Sequence, residues 1–309
     1  MPAPLLPRDA SPAASGDLFN VLFDGPDVRT EVVSTGRLRP VGERPSLSEY
    51  TRQLWQRRHF LVAEARAKVT AGTRETLLGT AWLILKPVLD GLTYYLVFGL
   101  LLQTDRGVRN FLGYLVIGVF MFSFTSRCVT GGAQSIANGR NMIRAFAFPR
   151  ASLPIAVILR ELLNMVWVFL AMVVLIYSLP EPEITTWRVT LVPLVFALQV
   201  IFCTGLALLL ARWTAAVPDV KVIVQFAMRL WLYGSAVFFS YDRFLSHPTV
   251  LNLMEANPMF RVLDMTRDCL LYGVTPDTTS WIVLCSWAFG MLAIGYVVFW
   301  RAEESYGRA

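Results

Sequence analysis

Residues 138–178 read NGRNMIRAFAFPRASLPIAVILRELLNMVWVFLAMVVLIYS, and their reading decides the fold. From Leu153 to Ser178 the run carries charge only at the adjacent Arg160 and Glu161. At about 1.5 Å per residue such a helix is longer than the roughly 30 Å hydrocarbon core of a bilayer. The segment just before it is basic, with Arg140, Arg144 and Arg150 and no acid, yet it holds Met142, Ile143, Phe146 and Phe148. A solvated loop has no reason to carry those apolar side chains. Either a short helix seats them in a partner's groove or the two phenylalanines anchor the loop at a membrane surface. Pro149 ends such a helix before the long run begins.

The rest of the chain extends this pattern. Of 309 residues, 55% are hydrophobic and 16% charged, with a mean hydropathy of +0.51. Soluble domains carry about 25% charged residues, so a soluble enzyme and a disordered chain are both excluded. Six apolar stretches, near 80–102, 111–134, 153–178, 189–211, 218–240 and 281–300, are each long enough to cross as a helix. The class is therefore all-α integral membrane, with six transmembrane helices. Loop charge sets the orientation. Thirteen basic residues fall on the side of both termini and six on the other, so both termini are expected in the cytosol. The net charge of +6 then reflects cytosolic loops and does not argue for a nucleic-acid partner.

Two segments flank this core. Residues 1–45 are rich in Pro, Ala, Gly and charge, and read as a flexible cytosolic tail without a signal peptide. Ser46-Leu47-Ser48-Glu49 is a capping-box pattern that opens a helix over 46–68. Its apolar stripe and its arginines suit a helix lying in the headgroup plane. Before the last span, residues 241–280 are too apolar for a solvated connection, yet Pro248 and Pro258 cut them short. Two helices near 248–256 and 259–272 are expected, either as an extracytoplasmic re-entrant pair or as a hairpin resting on the headgroups.

Chemistry is scarce. Four cysteines and two histidines at unrelated spacings make neither a metal site nor a disulfide framework. No GxxxxGK[ST], HExxH or GxSxG pattern occurs, so no catalytic constellation and no ATP loop belongs to this chain. Intramembrane acids are few. Asp90 can pair with Lys86 one turn away, and Glu161 adjoins Arg160. Arg127 and Arg229 lie deeper and have no partner close in sequence, so each is either half of a structural pair or a cation in a wet pathway.

These features together resemble the membrane subunit of a type-two ABC exporter, in particular the polysaccharide-exporting permeases of the O-antigen (Wzm-like), teichoic-acid and capsule systems. Four phrases carry the resemblance, which covers about 46–309. They are the basic helix with Trp55, Arg57, Arg58 and Phe60; Leu78-Gly79-Thr80-Ala81-Trp82 running on to Lys86-Pro87; Asn141-Met142-Ile143 followed by Phe148-Pro149-Arg150; and Asn257-Pro258-Met259 with Arg267-Asp268, Leu271-Tyr272-Gly273 and Pro276.

The resemblance implies a homodimer in the bacterial cytoplasmic membrane with two copies of an ABC ATPase subunit on the cytosolic side. ATP and Mg would bind in that partner, and this chain would hold no cofactor. Asn141, Met142, Ile143, Arg144, Phe146, Phe148 and Arg150 would form the ATPase coupling helix. Trp55, Arg57, Arg58 and Phe60 would mark the interface helix, and Asn257, Pro258, Met259 and Arg267 the outer gate region. The cargo would be a lipid-linked polysaccharide. Tyr94, Phe98, Trp231 and Phe239 are candidates to line its channel with Arg127 and Arg229, because sugar C–H faces stack on aromatic rings. An interfacial aromatic belt is the alternative for these rings. Export of a small lipid or drug, and an envelope-synthesis enzyme or scaffold, are the competing functions.

Overall fold

The computed structural model describes residues 45–71, 79–94, 96–97, 110–146, 148–177, 186–238 and 248–307. Every regular element among them is helical. The tail 1–44, Gly72, Phe98, Phe239 and the segments 98–109, 178–185 and 239–247 lie outside the described residues.

Four helices are long and apolar enough to cross a membrane. They are α4 (Phe111–Ala133), α7 (Ser152–Tyr177), α8 (Val192–Ala216, entered through a turn at Trp187–Leu191) and α12 (Thr278–Arg301). They correspond to the second, third, fourth and sixth expected spans. In the first, α3 (Trp82–Tyr94) is described, and its continuation lies among undescribed residues. The fifth differs from expectation. Helix α9 (Val220–Tyr233) stops at Gly234, well before residue 240. At 14 residues it is about 21 Å long, less than a bilayer core. The chain turns there because the carbonyls of Gly234, Ala236 and Val237 bond elsewhere, as described below.

Helix α4 is the centre of the bundle. It opens at Asn110, which sits at φ +49 and whose Oδ1 accepts from the Gly113 N–H at 2.9 Å. Short-chain polar side chains tolerate this left-handed region better than most. Most of α4 is buried, under α7 on one flank, α8 on another and α9 on a third. Helices α8 and α12 pack most closely, because Gly205 and Gly295 face one another. A Cβ on Gly295 would collide with the Gly205 backbone. Small residues give such helices their van der Waals contact where lipid removes the hydrophobic drive.

Each end of the bundle carries a cap. At one end lie α1 (Leu47–Gln56), α2 (Arg58–Ala71), α5 (Ser135–Asn138), α6 (Arg140–Ala145) and the turn Glu303–Gly307. The single helix expected over 46–68 is two helices that break at Arg57, whose N–H bonds back to the carbonyl of Leu54. Tyr50, Leu61 and Ala65 are its buried side chains. The break lets α1 pack under the C-terminal turn while α2 follows α7. Only the serine half of the capping box forms, Ser46 Oγ accepting from the Glu49 N–H. At the other end lie α10 (Pro248–Ala256) and α11 (Pro258–Arg267), close to the expected pair. A wider turn at Asp268–Tyr272 continues α11 to Gly273, at φ +60.

Candidate functional site

The predicted coupling segment folds as a helix, but its apolar side chains divide between two surfaces. α6 has no buried residue, and Phe146 ends it in extended backbone. Asn141, Arg144 and Phe146 project outward, and Phe146 is 67% exposed. Met142, Ile143 and Phe148 instead turn into a cluster with Tyr50, Ile136, Leu153, Leu208 and Phe299. The two phenylalanines therefore do different things: Phe148 fastens the loop to the bundle and Phe146 remains available to a partner.

Behind α6 lies a carboxylate whose part no local pattern announces. Glu303 is buried at the base of the C-terminal turn. Its Oε1 accepts from the Arg150 N–H at 3.0 Å and lies 3.8 Å from Arg150 Nη1, which also donates to the Glu303 carbonyl. Its Oε2 accepts from the Tyr50 hydroxyl at 2.7 Å, and that hydroxyl accepts from the Ala151 N–H at 3.0 Å. Burial pushes the Glu303 carboxyl above its ordinary range, while the bonds from Arg150 and Tyr50 pull it back. Burial and the neighbouring Glu303 push the Tyr50 hydroxyl up as well. On the same end Thr51 Oγ1 and Tyr296 OH are 2.7 Å apart, and Trp300 Nε1 donates to the Pro45 carbonyl at 3.0 Å. The interface-helix candidates Trp55, Arg57, Arg58 and Phe60 are all exposed, with the Arg58 guanidinium 5.1 Å from the Trp55 ring.

The deep arginines separate. Arg127 on α4 donates to Glu161 Oε2 on α7 at 3.0 Å, and Arg160 takes the other oxygen at 2.8 Å. It is half of a structural pair. Arg229 instead lines a cavity of about 290 Å³ between α4 and α9. Ser123, Ser126, Thr130 and Gln225 give this cavity a polar wall, Phe122, Met228, Leu232 and Phe238 an apolar one, and no acid lines it. The expected Lys86–Asp90 pair is not formed among the described residues, where both side chains are exposed on α3.

Of the aromatic channel candidates, Tyr94 ends α3, and Phe98 and Phe239 fall outside the described residues. Trp231 is half-buried and packs edge-on to Phe122 and Phe202. Its Nε1 donates to Asn257 Oδ1 at 2.9 Å.

Asn257 and Arg267 organise the opposite end. Asn257 caps α11 by accepting from the Met259 N–H, and its Nδ2 donates to the Gly234 carbonyl and Ser235 Oγ, each at 3.1 Å. This one amide fixes the end of α9 to the start of α11. Pro258 occupies the first turn of α11, where a missing N–H costs nothing, and Met259 is buried with its sulfur 3.3 Å from Thr125 Oγ1. Arg267 is 2% exposed. Its guanidinium donates to the carbonyls of Tyr114, Ala236 and Val237 and lies 3.3 Å from the Tyr114 ring centre. The Tyr114 hydroxyl also donates to the Ala236 carbonyl, at 2.9 Å. Ala236 sits at φ +51, a region unfavourable to a Cβ, and these two donors hold it there. Gln199 was not anticipated either. Deep in the bundle, its Nε2 bridges the Met121 carbonyl and Thr125 Oγ1.

Residues 66–271 match the family model described as ABC-2 type transporter. The chain is 26% identical over 255 residues to the O-antigen export system permease protein RfbA of Myxococcus xanthus, covering 82% of this chain and 94% of that protein. It is 22% identical over 201 residues to a protein of the same name from Klebsiella pneumoniae, covering 65% and 75%.

Proposed function

Because the chain belongs to the ABC-2 type transporter family, we propose that it is the permease subunit of an ATP-driven exporter of a cell-envelope polysaccharide. The observation that carries the cargo class is the match along nearly the whole length of a permease named for O-antigen export. The polymer is lipid-linked, of O-antigen, teichoic-acid or galactan type. ATP and Mg bind in a separate ATPase subunit, two copies of which serve a homodimer of this chain in the bacterial inner membrane. Loop charge, with thirteen basic residues on the side of both termini against six on the other, supports both termini and α6 lying in the cytosol. The α10–α11 pair then stands on the far side as a re-entrant gate.

The parts have distinct tasks in this reading. Asn141, Arg144 and Phe146 dock in the ATPase, and the exposed Trp55, Arg57, Arg58 and Phe60 rest at the lipid surface. Closure of the ATPase dimer on ATP displaces α6, and the bundle converts that displacement into tilting of the channel-lining helices. The cavity between α4 and α9 belongs to the conduit. Its hydroxyls and amide exchange hydrogen bonds with a sliding sugar chain, and its rings offer flat apolar faces. Arg229 is the cation of that wall, since a guanidinium at this depth with no acid beside it among the described residues needs water or cargo there.

Arg229 tests the conduit. Arg229→Glu is expected to lower surface polymer about tenfold, the equivalent of one lost charge-assisted contact of roughly 1.4 kcal/mol. Arg229→Lys should retain most of the export. Unchanged export by Arg229→Glu, with the complex assembled, would remove the cavity from the pathway. A drug or small-lipid exporter would instead leave surface polymer intact when this chain is depleted.

A further inference from the structure

The α6 loop is joined to the rest of its end of the bundle by two kinds of contact. One is the packing of Met142, Ile143 and Phe148, which is apolar and non-directional. The other is the Glu303 carboxylate. Its two oxygens point to different elements, one to the backbone at Arg150 and one to Tyr50 on α1, and the Tyr50 hydroxyl closes the ring at the Ala151 N–H. Glu303 itself follows directly on α12, the last membrane helix. A buried acceptor with a formal charge holds its donors in fixed directions. Apolar packing alone lets the loop slide.

We propose that Glu303 is the positioning residue that makes α1, the α6–α7 loop and the end of α12 one mechanical unit, so that a pull on α6 moves all three together. The proposal rests on the coupling role of α6 proposed above, and adds that the C-terminal turn, not the covalent link to α7 alone, carries the force. Without it, α6 would follow the ATPase while α1 and α12 stayed behind. ATP would then be hydrolysed with little cargo moved.

The experiment uses the full permease–ATPase complex and compares amide hydrogen exchange with and without ATP plus vanadate. In the unaltered complex, exchange should change together in 140–146, 47–56 and 299–307. In Glu303→Ala, the response of 140–146 should persist while the other two segments lose theirs. Polymer exported per ATP hydrolysed should fall by roughly 2- to 30-fold, the range seen when a coupling network is cut. Glu303→Gln keeps an acceptor for the Arg150 N–H but loses the charge and the second acceptor oxygen, and should restore part of the joint response. Tyr50→Phe keeps the ring packing, loses the hydroxyl bridge and should uncouple in part, which supplies a test even if Glu303→Ala folds poorly. If all three segments still respond together in both Glu303→Ala and Tyr50→Phe, the proposal is overturned. The same holds if assembly, hydrolysis and export fall in equal proportion in every variant, since that marks a residue of the fold only. If 140–146 does not respond in the unaltered complex, the coupling role of α6 fails first and this proposal with it.

Discussion

Phe146→Asp is expected to leave the permease folded and to separate it from its ATPase. Phe146 is the one large apolar side chain that α6 and its exit present outward. A phenylalanine seated in a partner's groove is the kind of anchor whose loss costs an interface about 2–4 kcal/mol, roughly a 30- to 1000-fold loss of affinity. A carboxylate there adds a desolvation cost without a partner. Co-purification of the ATPase with tagged permease checks this, alongside the thermal midpoint of the permease alone. The ATPase should be lost and the midpoint should hold. Phe148→Asp makes the informative contrast. Phe148 packs with Tyr50, Leu153 and Phe299, so a charge there should lower the midpoint as well. Normal ATPase binding by Phe146→Asp would dismiss α6 as the docking element.

Arg267→Ala should be the most damaging single change at the opposite end. The guanidinium, buried, donates to the carbonyls of Tyr114, Ala236 and Val237, and its central carbon lies over the Tyr114 ring. Removing it takes a donor from the Val237 carbonyl and one of two from the Ala236 carbonyl, where an orphaned buried acceptor costs about 1–3 kcal/mol. The left-handed Ala236 also loses a donor that holds it. A total near 3–5 kcal/mol is expected, and it should appear as a lower unfolding midpoint in detergent and poor yield. Arg267→Lys keeps the charge but not the planar fork and should recover part of the loss. Because the Ala236 and Val237 carbonyls lie in the turn that ends α9, the surviving Arg267→Ala protein should also show faster amide exchange at 234–238. An unchanged midpoint would mean that the guanidinium is not what holds this turn.

Much of this architecture is legible locally. The long apolar runs of α4, α7, α8 and α12 state their own length, and Pro248 and Pro258 divide α10 from α11 where the helices begin. The basic, phenylalanine-bearing loop before Leu153 is legible for the same reason, because its composition contradicts its position. What escaped is long-range. The end of α9 reads as span because Ala236, Val237 and Phe238 are apolar. Their turn is made by Arg267 and Asn257, which bond to it from 23 to 31 residues away. Arg127 looked partnerless until α7 brought Glu161 to it across 34 positions. Glu303 looked like one more charge in a charged terminus, for its donors are 153 and 253 residues distant. The sequence told Phe146 from Phe148 by type and spacing no better than by chance, because which of them faces the bundle depends on where Tyr50 and Phe299 arrive.

The export assignment stands or falls on where the polymer accumulates. Cells depleted of this chain can be fractionated, and their lipid-linked polysaccharide quantified on each face of the cytoplasmic membrane by accessibility to a glycosidase added to intact and to opened spheroplasts. The expected result is undecorated lipid-linked polymer trapped on the cytosolic face, with the surface depleted, and recovery on restoring the chain but not its Phe146→Asp form. Polymer that still reaches the outer face at the normal rate would contradict the assignment.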